Sequence, residues 1–185
     1  VLTEEAAAVA DFAGRAQACA AAAVLIHATK GPLVVAGIGK SGHIGRKIAS
    51  TFRSLGKPAV FLHAAEASHG DLGLLQPGTV ALVLSNSGET PELSDIIAHT
   101  RRFGVPLIGV ASRAGSTLLR QSDVAILLPQ VEEACGTGIV PTTSTFPGDS
   151  PQQGVSIATD SQLVSARSHL LCRYQNPRCF LPPRQ

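Results

Sequence analysis

Four polar clusters carry residue types that can do chemistry. The first is Gly37-Ile38-Gly39-Lys40-Ser41-Gly42, a glycine turn with a cation inside it. It fits the GxGxxG dinucleotide fingerprint. That fingerprint also wants an acid about 20 residues on, at the end of the second strand, to hold a ribose hydroxyl. Here the second predicted strand ends at His63 and Glu66 arrives late, which argues against a nicotinamide or flavin. A Walker A loop, GxxxxGK[ST], needs glycine six residues before Lys40, and Val34 stands there. What remains is a turn that brings Lys40 into a crevice beside exposed N–H groups, which suits a small phosphorylated ligand.

The second cluster is Ser85-Asn86-Ser87-Gly88-Glu89-Thr90, between an expected strand and a helix N-terminus. One hydroxyl would cap a helix. Three hydroxyls in this loop point instead to an anion site built with free N–H groups. The third cluster is His63 with Ala65-Glu66-Ala67-Ser68-His69-Gly70-Asp71. A metal on His63, His69 and Asp71 would lack the i, i+4 pairing of a helical site and any Cys. A substrate-contacting loop is the better reading, and no metal is expected. The fourth is Glu132-Glu133-Ala134-Cys135, followed by Pro141-Thr142-Thr143-Ser144-Thr145. A carboxylate just past a parallel strand lies where such sheets bind ligands. Glu92, in the first turn after the serine loop, is a further candidate acid, and it also suits the helix dipole there.

These clusters need a scaffold. Residues 3–28 read as an Ala-rich helix, with Thr3 as cap and Glu4 and Glu5 in its first turn. Apolar runs of strand length fall at 33–37, 58–63, 79–84, 106–111 and 124–128. Helical stretches fall from after Gly42 to about Leu55, and at 91–103 and 116–121, with Pro91 suited to a first helical turn. Continuous apolar strands alternating with helices imply a parallel sheet covered on both faces. The fold class is therefore α/β.

Composition narrows the function classes. The chain has 185 residues, 15% charged and 44% hydrophobic. A chain this poor in charge has little to solvate its surface, which hints at a homo-oligomer. No apolar run has the length of a membrane span. The net charge of +2 gives no nucleic-acid footprint. Residues 1–145 are neutral, so that charge belongs to Arg167, Arg173, Arg178 and Arg184 against Asp149 and Asp160. The start of the chain lacks the basic front of a secretory signal, and the four cysteines form no CxxC pair. Reduced thiols and a cytoplasmic location are expected.

Taken in order, the blocks Gly37-Ile38-Gly39-Lys40-Ser41-Gly42-His43-Ile44-Gly45-Arg46-Lys47, His69-Gly70-Asp71-Leu72-Gly73, Ser85-Asn86-Ser87-Gly88-Glu89, Glu133-Ala134-Cys135 and Pro141-Thr142-Thr143-Ser144-Thr145 resemble the sugar isomerase (SIS) domain. Within it they are most similar to the D-arabinose 5-phosphate isomerases, which begin the Kdo branch of lipopolysaccharide synthesis. The resemblance covers residues 3–145. It implies a three-layer α/β/α sandwich with a five-stranded parallel sheet, assembled as dimers or tetramers. It implies aldose–ketose isomerisation through an enediol, acting on a sugar phosphate with no organic cofactor. By resemblance Lys40, Glu92 and Glu133 match the catalytic positions, and either glutamate could be the base. Ser85, Ser87 and Thr90 would hold the phosphate, and His69 would line the sugar site. Gly39, Ser41, Thr142 and Ser144 complete the expected substrate contacts. A non-catalytic sugar-phosphate-binding SIS module is the alternative.

The pattern breaks after Thr145. In the family this block runs into an apolar helix and then a Ser-His-Pro-Gly-Gly segment that supplies a catalytic His. Here Phe146-Pro147-Gly148-Asp149 follow, and His169 stands in no matching context. Residues 146–185 therefore read as an atypical, divergent or frame-shifted tail and a candidate for disorder, with no CBS module expected.

Overall fold

The structure, a computed structural model, describes residues 16–129. Five strands form one sheet: β1 (Leu33–Gly37), β2 (Ala59–His63), β3 (Val80–Leu84), β4 (Leu107–Ala111) and β5 (Val124–Leu127). All neighbours are parallel, and the spatial order is β2-β1-β3-β4-β5. β1 therefore sits between β2 and β3, with Val35 opposite Phe61 on one side and Leu82 on the other. The chain leaves β1 in one direction to build β2, then returns past it to build β3 and the rest. That reversal opens a crevice at the carboxyl ends of β1 and β3, the place where open parallel sheets bind ligands.

The apolar strands divide their side chains between two cores with period 2. Leu33 and Val35 of β1, with Val80 and Leu82 of β3, face one core. It is closed by Cys19, Ala22 and Ile26 of α1 (Ala16–Ala28) and by Ile48, Ala49 and Phe52 of α2 (Gly39–Ser54). Val34, Ala36, Ala81 and Val83 face the other core. There they meet α3 (Ala64–Ala67), α4 (Ser94–Phe103) and α5 (Thr117–Gln121) through Ala64, Ala67, Ile96, Ile97 and Leu118. The result is the expected three-layer α/β/α sandwich, and burial on both faces explains why β1, β3 and β4 are apolar without interruption.

Gly42 of the first motif and Gly45, one turn on, let α2 lie close on the sheet. A Cβ at Gly45 would come within 2.9 Å of the Phe61 ring, and one at Gly42 within 3.3 Å of the Gly37 carbonyl.

The structure departs from the expectations in three places. α2 begins at Gly39, inside the glycine motif rather than after it. The helix expected from Pro91 begins as a 3-10 turn, Pro91–Leu93, before α4 proper. The segment after His63, read as a polar loop, folds into α3 and a second 3-10 turn, Asp71–Leu74. Ala64 and Ala67 are small, good helix formers, and both are fully buried in the second core. Residues 3–15 of the expected N-terminal helix and everything past residue 129 lie outside the described residues.

Candidate active site

The crevice between β1 and β3 holds a cavity of about 350 Å³. One wall comes from Ile38, Lys40 and Ser41, where β1 turns into α2. The first turn of any α-helix leaves N–H groups without intrahelical acceptors, and aligned peptide dipoles make that end positive. α2 has no side-chain cap, since Ile38 holds the cap position in an extended conformation, and no acid in its first turn. The N-terminal turn of α2 and the cationic residue Lys40 therefore form one wall of the cavity, so it favours an anion.

The opposite wall is the serine loop, from Leu84 through Ser87 and on to Thr90. Ser85 is buried and follows β3 directly, with its N–H bonded to the Val110 carbonyl of β4. Its Oγ accepts the Gly88 N–H at 3.0 Å and lies 2.8 Å from Thr90 Oγ1. Whichever hydroxyl donates within that pair, one hydroxyl hydrogen is left over for a ligand. Ser87 Oγ accepts the Glu89 N–H at 3.2 Å, which leaves its own hydrogen to donate. The loop thus uses acceptor capacity internally and keeps donors to offer. A phosphate, which is rich in acceptors, complements that arrangement.

The loop is braced from behind by the segment joining β4 to α5. Ser112 donates its N–H to the Asn86 carbonyl at 2.9 Å and its hydroxyl to Asn86 Oδ1 at 2.6 Å. Leu118 N–H reaches the Gly88 carbonyl at 3.1 Å, and Thr117 N–H reaches Glu89 Oε1 at 2.8 Å. Hydrogen bonds from the Thr117 hydroxyl and N–H hold the Glu89 carboxyl below its ordinary range, with smaller help from Arg120 and Arg113. Gly88 is the tight point. Its φ is +66°, and a Cβ there would stand 2.3 Å from Ser116 Oγ. Ser112, Ser116 and Thr117 were not singled out by sequence reasoning. No local spacing announces a contact made 26 or 28 residues away.

Of the residues expected at the site, Lys40, Ser41, Ser85, Ser87 and Thr90 line one cavity. Gly39 opens α2 beside Lys40, at φ +57°. Glu92 is exposed in the 3-10 turn directly after Thr90. His69 is exposed after α3. Glu92, Gly39 and His69 are not among the cavity's lining residues. Glu133, Thr142 and Ser144 lie outside the described residues. His63 ends β2 opposite Gly37, and its buried Nδ1 has no hydrogen-bond partner. No group of three or more His, Cys, Asp or Glu residues that could hold a metal converges among the described residues.

The family model of the SIS domain matches residues 26–148, from the end of α1 through the crevice and beyond β5. The chain belongs to the SIS domain family. As a SIS domain it is 48% identical over 116 residues to the arabinose 5-phosphate isomerase KdsD of Escherichia coli K12, covering 63% of this chain and 35% of that protein. It is 41% identical over 121 residues to the arabinose 5-phosphate isomerase KpsF of Escherichia coli O6:H1, covering 65% of this chain and 37% of that one. This SIS chain thus spans little more than a third of the length of the curated relatives it matches. Among solved structures it is similar to an Escherichia coli CFT073 protein in complex with arabinose 5-phosphate, with TM-score 0.78 and 27% identity over 98% of this chain and 93% of that one. No helix among the described residues is long and apolar enough to cross a membrane.

Proposed function

We propose that this SIS domain interconverts D-arabinose 5-phosphate and D-ribulose 5-phosphate through an enediol. The observation that carries the proposal is the joining of Lys40 and the uncapped α2 N-terminus to the Ser85, Ser87 and Thr90 hydroxyls across one cavity. The naming of its relatives as arabinose 5-phosphate isomerases supports the choice of sugar. The phosphate would sit on the serine loop, with Ser41 and the Gly39 turn closing over it. A base removes the C2 proton of the open-chain aldose, and the electrons form the enediol. The proton returns to C1, the O2 proton moves to O1, and the ketose results. No oxidant or organic cofactor is required. Lys40 would polarise the carbonyl and stabilise the developing oxyanion. Glu92 or Glu133 would be the base, while His69, Thr142 and Ser144 would complete the sugar contacts.

We place the reaction in the cytoplasm, at the start of the Kdo branch, in a homo-oligomer (dimer or tetramer). The low charge content supports the assembly. We also propose that the sequence leaves the family frame after Thr145. Translating the encoding DNA in the other two frames tests that point, and finding no Ser-His-Pro-like segment in either would refute it.

The deciding experiment is a ribulose 5-phosphate assay on the purified chain, beside thermal-shift titration with arabinose 5-phosphate. Turnover supports the isomerase. A melting shift without turnover would make the domain a binding module. Absence of both turnover and a melting shift would sink the proposal altogether.

A further inference from the structure

We propose that Glu89 is a positioning residue that sets phosphate affinity from outside the cavity. This inference rests on the phosphate-binding reading of the serine loop. Glu89 is not among the residues that line the cavity. Its own N–H donates to Ser87 Oγ at 3.2 Å. Its carboxylate accepts the Thr117 N–H at 2.8 Å. The residue therefore couples a ligand-facing hydroxyl to the start of α5.

Two neighbouring contacts make this a clamp rather than a single tether. The Gly88 carbonyl accepts the Leu118 N–H at 3.1 Å, and Asn86 holds Ser112 through both its carbonyl and its Oδ1. The loop is thereby anchored at positions 86, 88 and 89, while Ser85, Asn86, Ser87 and Thr90 line the cavity. The Ser85, Ser87 and Thr90 hydroxyls keep their places on the cavity wall only while the anchors hold. Preorganised donors bind an anion without a further ordering cost. Releasing Glu89 would free the Ser87 side of the loop and weaken ground-state phosphate binding, with the reacting carbons untouched.

Glu89→Ala and Glu89→Gln, made in the full chain, test this. Gln keeps an acceptor for the Thr117 N–H, and Ala does not. For Glu89→Ala we expect KM for arabinose 5-phosphate to rise about tenfold with kcat within about twofold, the loss of roughly one hydrogen bond's worth of binding. Glu89→Gln should restore most of the affinity. Hydrogen–deuterium exchange of residues 85–90 should rise in Glu89→Ala and return toward wild type in Glu89→Gln. A lowered Tm with unchanged KM and unchanged exchange would show a purely structural role and overturn the proposal. A fall in kcat at constant KM would overturn it in favour of a role in chemistry. If Glu89→Ala fails to fold, Ser112→Ala removes the hydroxyl from the Asn86 point and must raise KM and loop exchange by the same argument. If wild-type chain neither turns over arabinose 5-phosphate nor shifts its Tm with inorganic phosphate, the functional reading fails. The exchange measurement then still decides the clamp.

Discussion

The Ser85 hydroxyl is the part of the loop where stability and binding should fail together. Ser85 is 6% exposed, and its Oγ accepts the Gly88 N–H at 3.0 Å while pairing with Thr90 at 2.8 Å. Ser85→Ala leaves that buried N–H without an acceptor, which costs about 1–3 kcal/mol. At about 4 °C per kcal/mol, the slope for a domain of roughly 100–150 residues, Tm should fall by about 4–12 °C. The variant also loses the pairing that orients the Thr90 hydroxyl. A hydrogen bond to a charged group is worth about 1.5–3 kcal/mol, so arabinose 5-phosphate affinity should drop roughly 10- to 150-fold. Ser87→Ala is the internal control. Ser87 is exposed and gives up only the 3.2 Å bond from Glu89 N–H. Its stability change should stay within about 0.5 kcal/mol, with an affinity loss of similar size to that of Ser85→Ala. Differential scanning fluorimetry and isothermal titration with arabinose 5-phosphate read both quantities. Equal Tm losses in the two variants, or wild-type affinity in Ser85→Ala, would refute the reasoning.

Three further outcomes follow from the same geometry. Lys40→Ala should abolish measurable isomerisation while the serine loop still binds inorganic phosphate; normal turnover in a coupled assay would remove Lys40 from the mechanism. Gly88→Ala forces a side chain into a left-handed backbone, at about 1–2 kcal/mol, and against Ser116, at about 1–3 kcal/mol more. Urea denaturation should show that loss, and pairing it with Ser116→Gly should recover only the steric part. Because the Glu89 carboxyl sits below its ordinary range, its stabilisation is present above the unfolded pKa and lost as pH falls through the folded one. The Tm gap between wild type and Glu89→Gln should therefore close as pH is lowered from neutral through the carboxylate range, and a gap independent of pH would contradict this.

Much of the site could be read along the chain because its parts are local. A glycine turn at the end of an apolar run, and a hydroxyl-rich loop before Pro91, are each contained within six residues. The strands were legible for a related reason. Burial on both faces of a parallel sheet demands unbroken apolar runs such as Leu33–Gly37 and Val80–Leu84, and these differ from the amphipathic spacing of α2 and α4. The segment from Ala64 to Leu74 was less legible. Its short helical turns are held by tertiary burial of Ala64, Ala67 and Leu75, too few residues to show a period.

The sequence by itself thus determined the residue types at the site, the α/β alternation and the family. Local preference and apolar patterning are properties of neighbours in the chain. Tertiary structure alone decided that β1 and β3 stand side by side, so that Lys40 and Ser85 face one cavity. It alone decided that Asn86, Gly88 and Glu89 are held by Ser112, Leu118 and Thr117. Such contacts cross between separate βα turns. Their geometry depends on the order in which strands enter the sheet, and that order leaves no periodic mark on the chain.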